Sequence, residues 1–300
     1  MNPVLLEFRG EIAALSAAFI WAIASIIYAG VGRQLSPLAL NFTKGVIAIA
    51  MIFVTLVITD APRPDVSHIT IGLLVMSGIV GIGFGDTAFF TSINCLGARR
   101  ALLMESLAPP LSAFLALVFL GEQLSMRDYL GIVLTISGVA WVVAERVPDA
   151  VRGEIRLGRG ISFGILAAFG QASGAVMSRA ALADTSISPL WSTLIRIIAG
   201  TVILLIWVMA HQEGMQALKP MRSPRLLTIV AITAFASTFL AIWLQQTALK
   251  YTETGIAQSL TATSPLFILP VALWLGEKIS PRAFLGALIA LCGVWLLFLT

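Results

Sequence analysis

The chain has 300 residues, 58% of them hydrophobic and only 11% charged, with a formal net charge of +4. A soluble domain carries about 25% charged residues, so this composition excludes an ordinary water-soluble fold and makes lipid the solvent for most of the surface. No basic patch interleaved with aromatics is present, which argues against nucleic acid as a partner, while the Lys and Arg excess suits loops beside an anionic leaflet.

Apolar runs of membrane-spanning length, about 17–25 residues, fall near 12–32, 37–58, 69–94, 101–120, 128–144, 161–182, 189–210, 226–249, 255–275 and 282–299. The expected fold class is therefore an all-α polytopic membrane protein with ten transmembrane helices. The first run is as long as a full span and lacks a small-residue cleavage site, so it reads as a span and not as a removable signal. Ser36-Pro37, Ser188-Pro189 and Ser280-Pro281 each pair an N-cap hydroxyl with proline at the first helical position, where a missing amide proton costs nothing. Ser125 with Asp128 three residues on is a variant capping box. The longest polar connections are 145–159 and 211–225, and the first of them divides the spans into two groups of five.

One stretch occurs twice. LGEQLSMRDYLGIVLTISGVAW at 120–141 and LGEKISPRAFLGALIALCGVWL at 275–296 align without a gap, with nine of 22 positions identical at an offset of 155. Ala17-Ala18-Phe19 matches Ala167-Ala168-Phe169, and Ser36-Pro37-Leu38 matches Ser188-Pro189-Leu190. The repeat is thus a duplicated half, 10–145 and 158–299. Five spans are an odd number, so the second half enters the membrane from the opposite side. The halves are then inverted about an axis in the membrane plane, a recurring plan in transporters. Twelve Lys and Arg fall on the side of loops 1–2, 3–4, 5–6, 7–8 and 9–10 and five on the side of the termini, which places both termini outside the cytoplasm.

Two five-span repeats, each closing on LGE-x-x-S-x-R-x-x-LG…GV, resemble the EamA-type members of the drug/metabolite transporter superfamily. Among ten-span members the chain is most similar to the aromatic amino-acid exporters of the YddG type. The resemblance implies a mid-membrane cavity lined mainly by spans 1, 3, 4, 6, 8 and 9. It further implies alternating access and export of amino acids, other metabolites or drugs without ATP hydrolysis or any cofactor.

Ionisable groups inside spans are costly and mark candidate sites. Asp86 lies within GIVGIGFGDTAFF and reads either as a cavity carboxylate for a substrate ammonium or proton, or as a residue paired to a neighbouring helix. The same stretch contains the G-x-G-D pattern of intramembrane aspartyl proteases. That chemistry needs a second carboxylate in the site, and Asp60, Asp65, Asp128, Asp149 and Asp184 all fall at loops or span ends. Glu105 reads as a helix N-terminal acid paired to Arg99 and Arg100, or as a cavity or proton-coupling site. Lys44 and Arg196 sit eight residues past their Ser-Pro starts, about 12 Å deep at the helical rise, within reach of snorkelling or structural pairing. Glu122 and Glu277 read as structural corners, capped and ion-paired, with Arg127 and Arg282 five residues later.

Uncharged groups complete the candidate set. Trp21, Ser25 and Tyr28 make one stripe at i, i+4, i+7, and Gln171 matches Trp21 at the repeat offset. Phe90, Trp243, Gln245 and Gln246 follow in spans 3 and 8, with Gln258 and Ser259 in span 9. Each has the alternative of packing or lipid contact. Cys95 and Cys292 read as small buried residues, and His68 and His211 are isolated, so no metal site is expected.

The leading function is an inner-membrane secondary transporter exporting aromatic or neutral amino acids or similar metabolites, acting as a monomer with a small-molecule substrate and the lipid bilayer as partners. A sugar-phosphate or nucleotide-sugar antiporter, a multidrug exporter and, more distantly, an intramembrane enzyme are the alternatives. No enzyme activity is expected, and proton coupling and facilitated diffusion are both open.

Overall fold

The computed structural model describes residues 7–31, 34–60, 64, 66–96, 98–144, 156–183, 185–210, 216–267, 270 and 280–298. Every regular element among them is helical. The helices are α1 (Arg9–Val31), α2 (Pro37–Ile58), α3 (His68–Leu96), α4 (Ala98–Glu105), α5 (Ala108–Leu120) and α6 (Met126–Ala144). They continue with α7 (Leu157–Leu182), α8 (Pro189–Ala210), α9 (Pro224–Tyr251), α10 (Thr254–Thr261) and α11 (Pro281–Leu297). Six, namely α1, α2, α3, α7, α8 and α9, are long and apolar enough to cross a membrane, and α5 and α11 are shorter apolar helices. The chain is a multi-pass membrane protein. Its outward faces carry exposed Phe53, Phe114, Phe169 and Trp295, which lipid solvates without penalty.

The helix starts follow from their caps. Ser36 accepts from the Ala39 amide at 3.2 Å, Ser188 from Trp191 at 3.3 Å and Ser280 from Ala283 at 3.1 Å. At α6 the box is reciprocal: the Ser125 amide donates to Asp128 Oδ2 at 2.8 Å, and the Asp128 amide donates to Ser125 Oγ at 3.2 Å. Each bond occupies an amide that the helix itself leaves unpaired. Gly121 ends α5 at φ 68°, a left-handed conformation that explains the glycine of the first LGE copy.

Two expected spans are not single helices. The one near 101–120 breaks after Glu105, where Pro109 and Pro110 withhold amide donors. The one near 255–275 begins as α10 and turns at Ala262; residues 271–279, with Glu277 and Lys278, lie outside the described ones. α3 and α9 instead stay continuous by widening into π-helical geometry over Gly78–Gly85 and Phe235–Leu240.

Lipid tails give no hydrophobic drive for helices to associate, so close backbone approach does that work. In the twin stretch, a Cβ on Gly138 would collide with the Ala290 amide nitrogen, and one on Gly293 with the Thr135 amide nitrogen. The Gly131 carbonyl lies 2.7 Å from where a Gly293 Cβ would stand, and the Gly138 carbonyl 3.0 Å from a Gly286 Cβ. Early meets late in both directions, so α6 and α11 run antiparallel through their repeated glycines. Cys292, expected to be buried, is exposed on α11, and Cys95 is half-buried; neither is in a disulfide.

Candidate functional site

Between the helices lies a cavity of about 230 Å³. It is walled by Trp21, Ser25 and Tyr28 of α1, Leu40 and Lys44 of α2, Asp86 and Phe90 of α3, and Glu105 of α4. Gln171 of α7, Arg196 of α8, Ser237 and Gln245 of α9 and Gln258 of α10 complete the ring. The lining continues past Tyr28 to Leu35 and Pro37, and past Asp86 to Ile93 and Asn94. The cavity therefore extends toward the end of the bundle that carries the α1–α2 and α3–α4 connections.

The other end is closed. A buried apolar cluster that includes Ala14, Leu74, Leu182, Leu249, Ile256 and Leu260 fills it. Outside that cluster, Arg179 Nε meets Glu122 Oε1 at 2.8 Å, and Arg179 Nη1 donates to the carbonyls of Leu249 and Lys250 at 3.0 and 2.9 Å. Glu122 Oε2 accepts from the Thr254 amide at 2.9 Å. One carboxylate thus caps the start of α10 while its partner caps the end of α9, each charge opposite in sign to the helix terminus it meets. Glu122 is the structural corner expected of the LGE motif, with Arg179 of α7 as its partner. Lys250 Nζ donates to the carbonyls of Thr185 and Ile187 at 3.2 and 2.6 Å, and the Arg9 guanidinium lies 3.3 Å from the centroid of Tyr251.

The charged layer of the cavity is asymmetric. Lys44 Nζ pairs with Asp86 Oδ2 at 2.7 Å, both side chains nearly removed from solvent (8% and 17% exposed). Gln171 Nε2 donates to Asp86 Oδ1 at 2.9 Å. Both carboxylate oxygens are thus engaged. Lys44 also lies 4.9 Å from the Phe90 ring centroid, and Phe90 meets Tyr28 edge-on at 6.1 Å. Around them Asn41 Nδ2 donates to the Ile82 carbonyl at 2.8 Å and to Thr87 Oγ1 at 3.0 Å, tying α2 to the π turn of α3. Arg196 is buried at 3% exposure, and its Nε and Nη1 have no acceptor among the described residues. Glu105 Oε2 likewise has no donor among them.

Of the residues proposed from sequence, Trp21, Ser25, Tyr28, Asp86, Phe90, Glu105, Gln171, Gln245 and Gln258 come together on this wall. Trp243, Gln246 and Ser259 do not. Trp243 stacks on Phe239 at 6.1 Å, Gln246 accepts from Ser192 Oγ at 2.8 Å, and Ser259 donates back to the Gly255 carbonyl at 2.8 Å. Asp86 is paired to α2, as one of its two readings expected, and it also faces the cavity. Glu105 ends α4 instead of opening a helix, so the helix dipole does not favour its charge there. The side chains of Arg99 and Arg100, its expected partners, lie outside the described ones. Lys44 and Arg196 do not snorkel: both are buried on the cavity wall. The lining accordingly includes α2 and α8, beyond the spans that the resemblance implied. Trp21 and Gln171, matched by the repeat, each bind a π-turn region of the other half. Trp21 Nε1 donates to the Ser237 carbonyl at 2.9 Å, and Gln171 reaches Asp86.

A multi-pass helical protein with a sealed end and an internal cavity that carries ionisable groups on a largely apolar wall belongs to the class of membrane transporters. The chain belongs to the EamA-like transporter family, which matches residues 8–144 and again 158–299. It is similar to an uncharacterized transporter of Archaeoglobus fulgidus, 25% identical over 287 residues that cover 95% of this chain and 96% of the relative. It is also similar to the uncharacterized transporter YoaV of Bacillus subtilis, 24% identical over 131 residues, 43% of this chain and 45% of that one. A crystal structure at 13% identity shares the fold with a TM-score of 0.72, covering 97% of this chain and 96% of its own.

Proposed function

We propose that the protein is a secondary transporter of a bacterial-type inner membrane. It exports aromatic or neutral amino acids, or similar small metabolites, by alternating access and as a monomer, in the manner of the YddG-type exporters it resembles. The observation that carries this reading is the cavity itself: both halves of the chain line it, aromatic rings and charges of both signs share its wall, and one end is sealed. At about 230 Å³ it falls below the roughly 300–1,000 Å³ of drug-sized ligand sites, which favours a small metabolite over bulky drugs.

In this reading the ten spans form two inverted repeats, 10–145 and 158–299. The antiparallel α6–α11 pair supports that arrangement, because equivalent helices of inverted halves must run oppositely. So does the exchange in which Trp21 binds the α9 π turn and Gln171 binds the residue following the α3 turn. With both termini outside the cytoplasm, the cavity extends toward the cytoplasm and the Glu122–Arg179 end seals the far side.

The burial of Lys44 and Arg196 on the wall gives the phosphorylated-sugar alternative one specific observation, which Asp86 and Glu105 offset in formal charge. Flux of labelled amino acids and of sugar phosphates through the purified protein in liposomes separates the two readings. Amino-acid uptake above protein-free liposomes supports the export reading. Flux of sugar phosphates alone would replace it.

A further inference from the structure

The four ionisable groups on the cavity wall divide into a closed pair and an open one. Lys44 and Asp86 satisfy each other at 2.7 Å, and Gln171 occupies the remaining carboxylate oxygen. Arg196 and Glu105 face the same cavity from α8 and α4. Among the described residues no carboxylate lies within ion-pair distance of Arg196 and no cation within that distance of Glu105. Among the same residues the guanidinium finds no acceptor for two buried donors, and the carboxylate no donor for one buried oxygen. Burying a charge without a partner is among the most destabilising arrangements a fold can hold. A fold built for stability alone would pair Arg196 as it pairs Lys44. Arg196 Nη2 packs over Gly81 in the π turn of α3, where a Cβ would come to 3.4 Å of it.

We propose that Arg196 anchors the carboxylate of the transported molecule and that Glu105 receives its ammonium group, so that the cavity selects small zwitterions. This rests on the amino-acid reading above and assigns the two poles of its substrate. A planar guanidinium with free donors matches a carboxylate in two-pronged geometry. Glu105, with a free acceptor oxygen, matches an ammonium. The aromatic wall of Trp21, Tyr28 and Phe90 lies along the same cavity for an apolar side chain. The formal charges of Lys44, Asp86, Glu105 and Arg196 on the wall sum to zero, which suits a ligand of zero net charge better than a phosphate dianion.

The test needs the purified full-length protein and four probes: L-phenylalanine, its carboxamide, its N-acetyl derivative and a hexose phosphate. On the unmutated protein, phenylalanine should bind about thirtyfold or more tightly than its carboxamide, the loss expected when one partner of a buried charge pair is removed. It should also outbind the N-acetyl form. In Arg196→Gln the preference over the carboxamide disappears; in Glu105→Gln the preference over the N-acetyl form disappears. Arg196→Lys restores part of the first preference. The ligand-free Arg196→Gln protein should melt no lower than the original, because it loses an unpaired charge. A purely structural arginine would give the opposite sign. Equal binding of phenylalanine and its carboxamide by the unmutated protein overturns the anchor while leaving amino-acid transport intact, and needs no variant to fold. Binding of the hexose phosphate with no binding of phenylalanine overturns both.

Discussion

In α3 the backbone widens into π geometry over Gly78–Gly85, and in α9 over Phe235–Leu240. A π turn interrupts the regular i→i−4 ladder and leaves carbonyls to be satisfied from elsewhere. At the first turn Asn41 supplies the donor to Ile82, and at the second Trp21 supplies it to Ser237. The residue that follows the turn is Asp86 in α3 and Ala241 in α9. The α3 turn is therefore secured by a buried ion pair and a charge-assisted hydrogen bond. Among the described residues the α9 turn is held by neutral donors, the Trp21 indole and the Tyr28 hydroxyl, which meets Ser237 Oγ at 2.8 Å. Each neutral bond contributes about 0.5–1.5 kcal/mol net. Two turns in corresponding helices thus differ in what it costs to release them, and in the proposed transport cycle α9 is the one expected to yield first.

The comparison breaks hardest at Lys44. Replacing it with Met leaves the largely enclosed Asp86 with Gln171 as its remaining hydrogen-bond partner, and thermal unfolding in detergent should show a loss of about 3 kcal/mol. The double change Lys44→Met with Asp86→Leu should recover much of that loss, because an apolar pair of similar volume carries no desolvation penalty. A single variant as stable as the original would mean that the ion pair does not hold the α3 turn. Next in size is Asn41→Leu. It strands the Ile82 carbonyl, and since Asn41 is only 1% exposed water cannot easily replace the bond. The expected loss is about 1–3 kcal/mol, read in the same melt; a negligible loss would show that the turn needs no outside donor.

Position along a helix was legible in the sequence, whereas its face was legible only where a stripe such as Trp21, Ser25 and Tyr28 marked it. The Ser-Pro starts, the capping box and the polar runs located the helix ends and the depth of most cavity residues. In a membrane, however, the outward face is as apolar as the packed one, so hydrophobic patterning does not say which side looks inward. Trp243, Gln246 and Ser259 were placed at the right depth and point elsewhere. For Lys44 and Arg196 snorkelling and structural pairing were both open, because a depth of about 12 Å is compatible with the outer face and with burial on the inner one. The structure pairs Lys44 with Asp86 and buries Arg196. Only the partner across the helix boundary, Asp86, decides for Lys44. Asn41 and Ser237 gave no sequence signal, because their importance comes from carbonyls freed by π turns that no residue pattern marks. The break after Glu105 falls just ahead of Pro109-Pro110, and the repeated glycines, read from sequence as closing each half, gave no sign that they pack on each other.

The smallest expected effect is the most informative about coupling between the turns. Ser237 Oγ already donates to the Thr233 carbonyl at 2.8 Å, so in its bond with Tyr28 the tyrosine is the donor. Tyr28→Phe removes that bond, leaves Ser237 its own acceptor, and keeps the ring against Phe90. The loss should be about 0.5–1.5 kcal/mol. Combined with Asn41→Leu, it tests whether the α3 and α9 turns act separately. Independent turns give a double variant whose loss is the sum of the singles within about 0.3–0.5 kcal/mol. A larger departure means that loosening one turn already loosens the other through the cavity wall, as alternating access by two halves moving together requires.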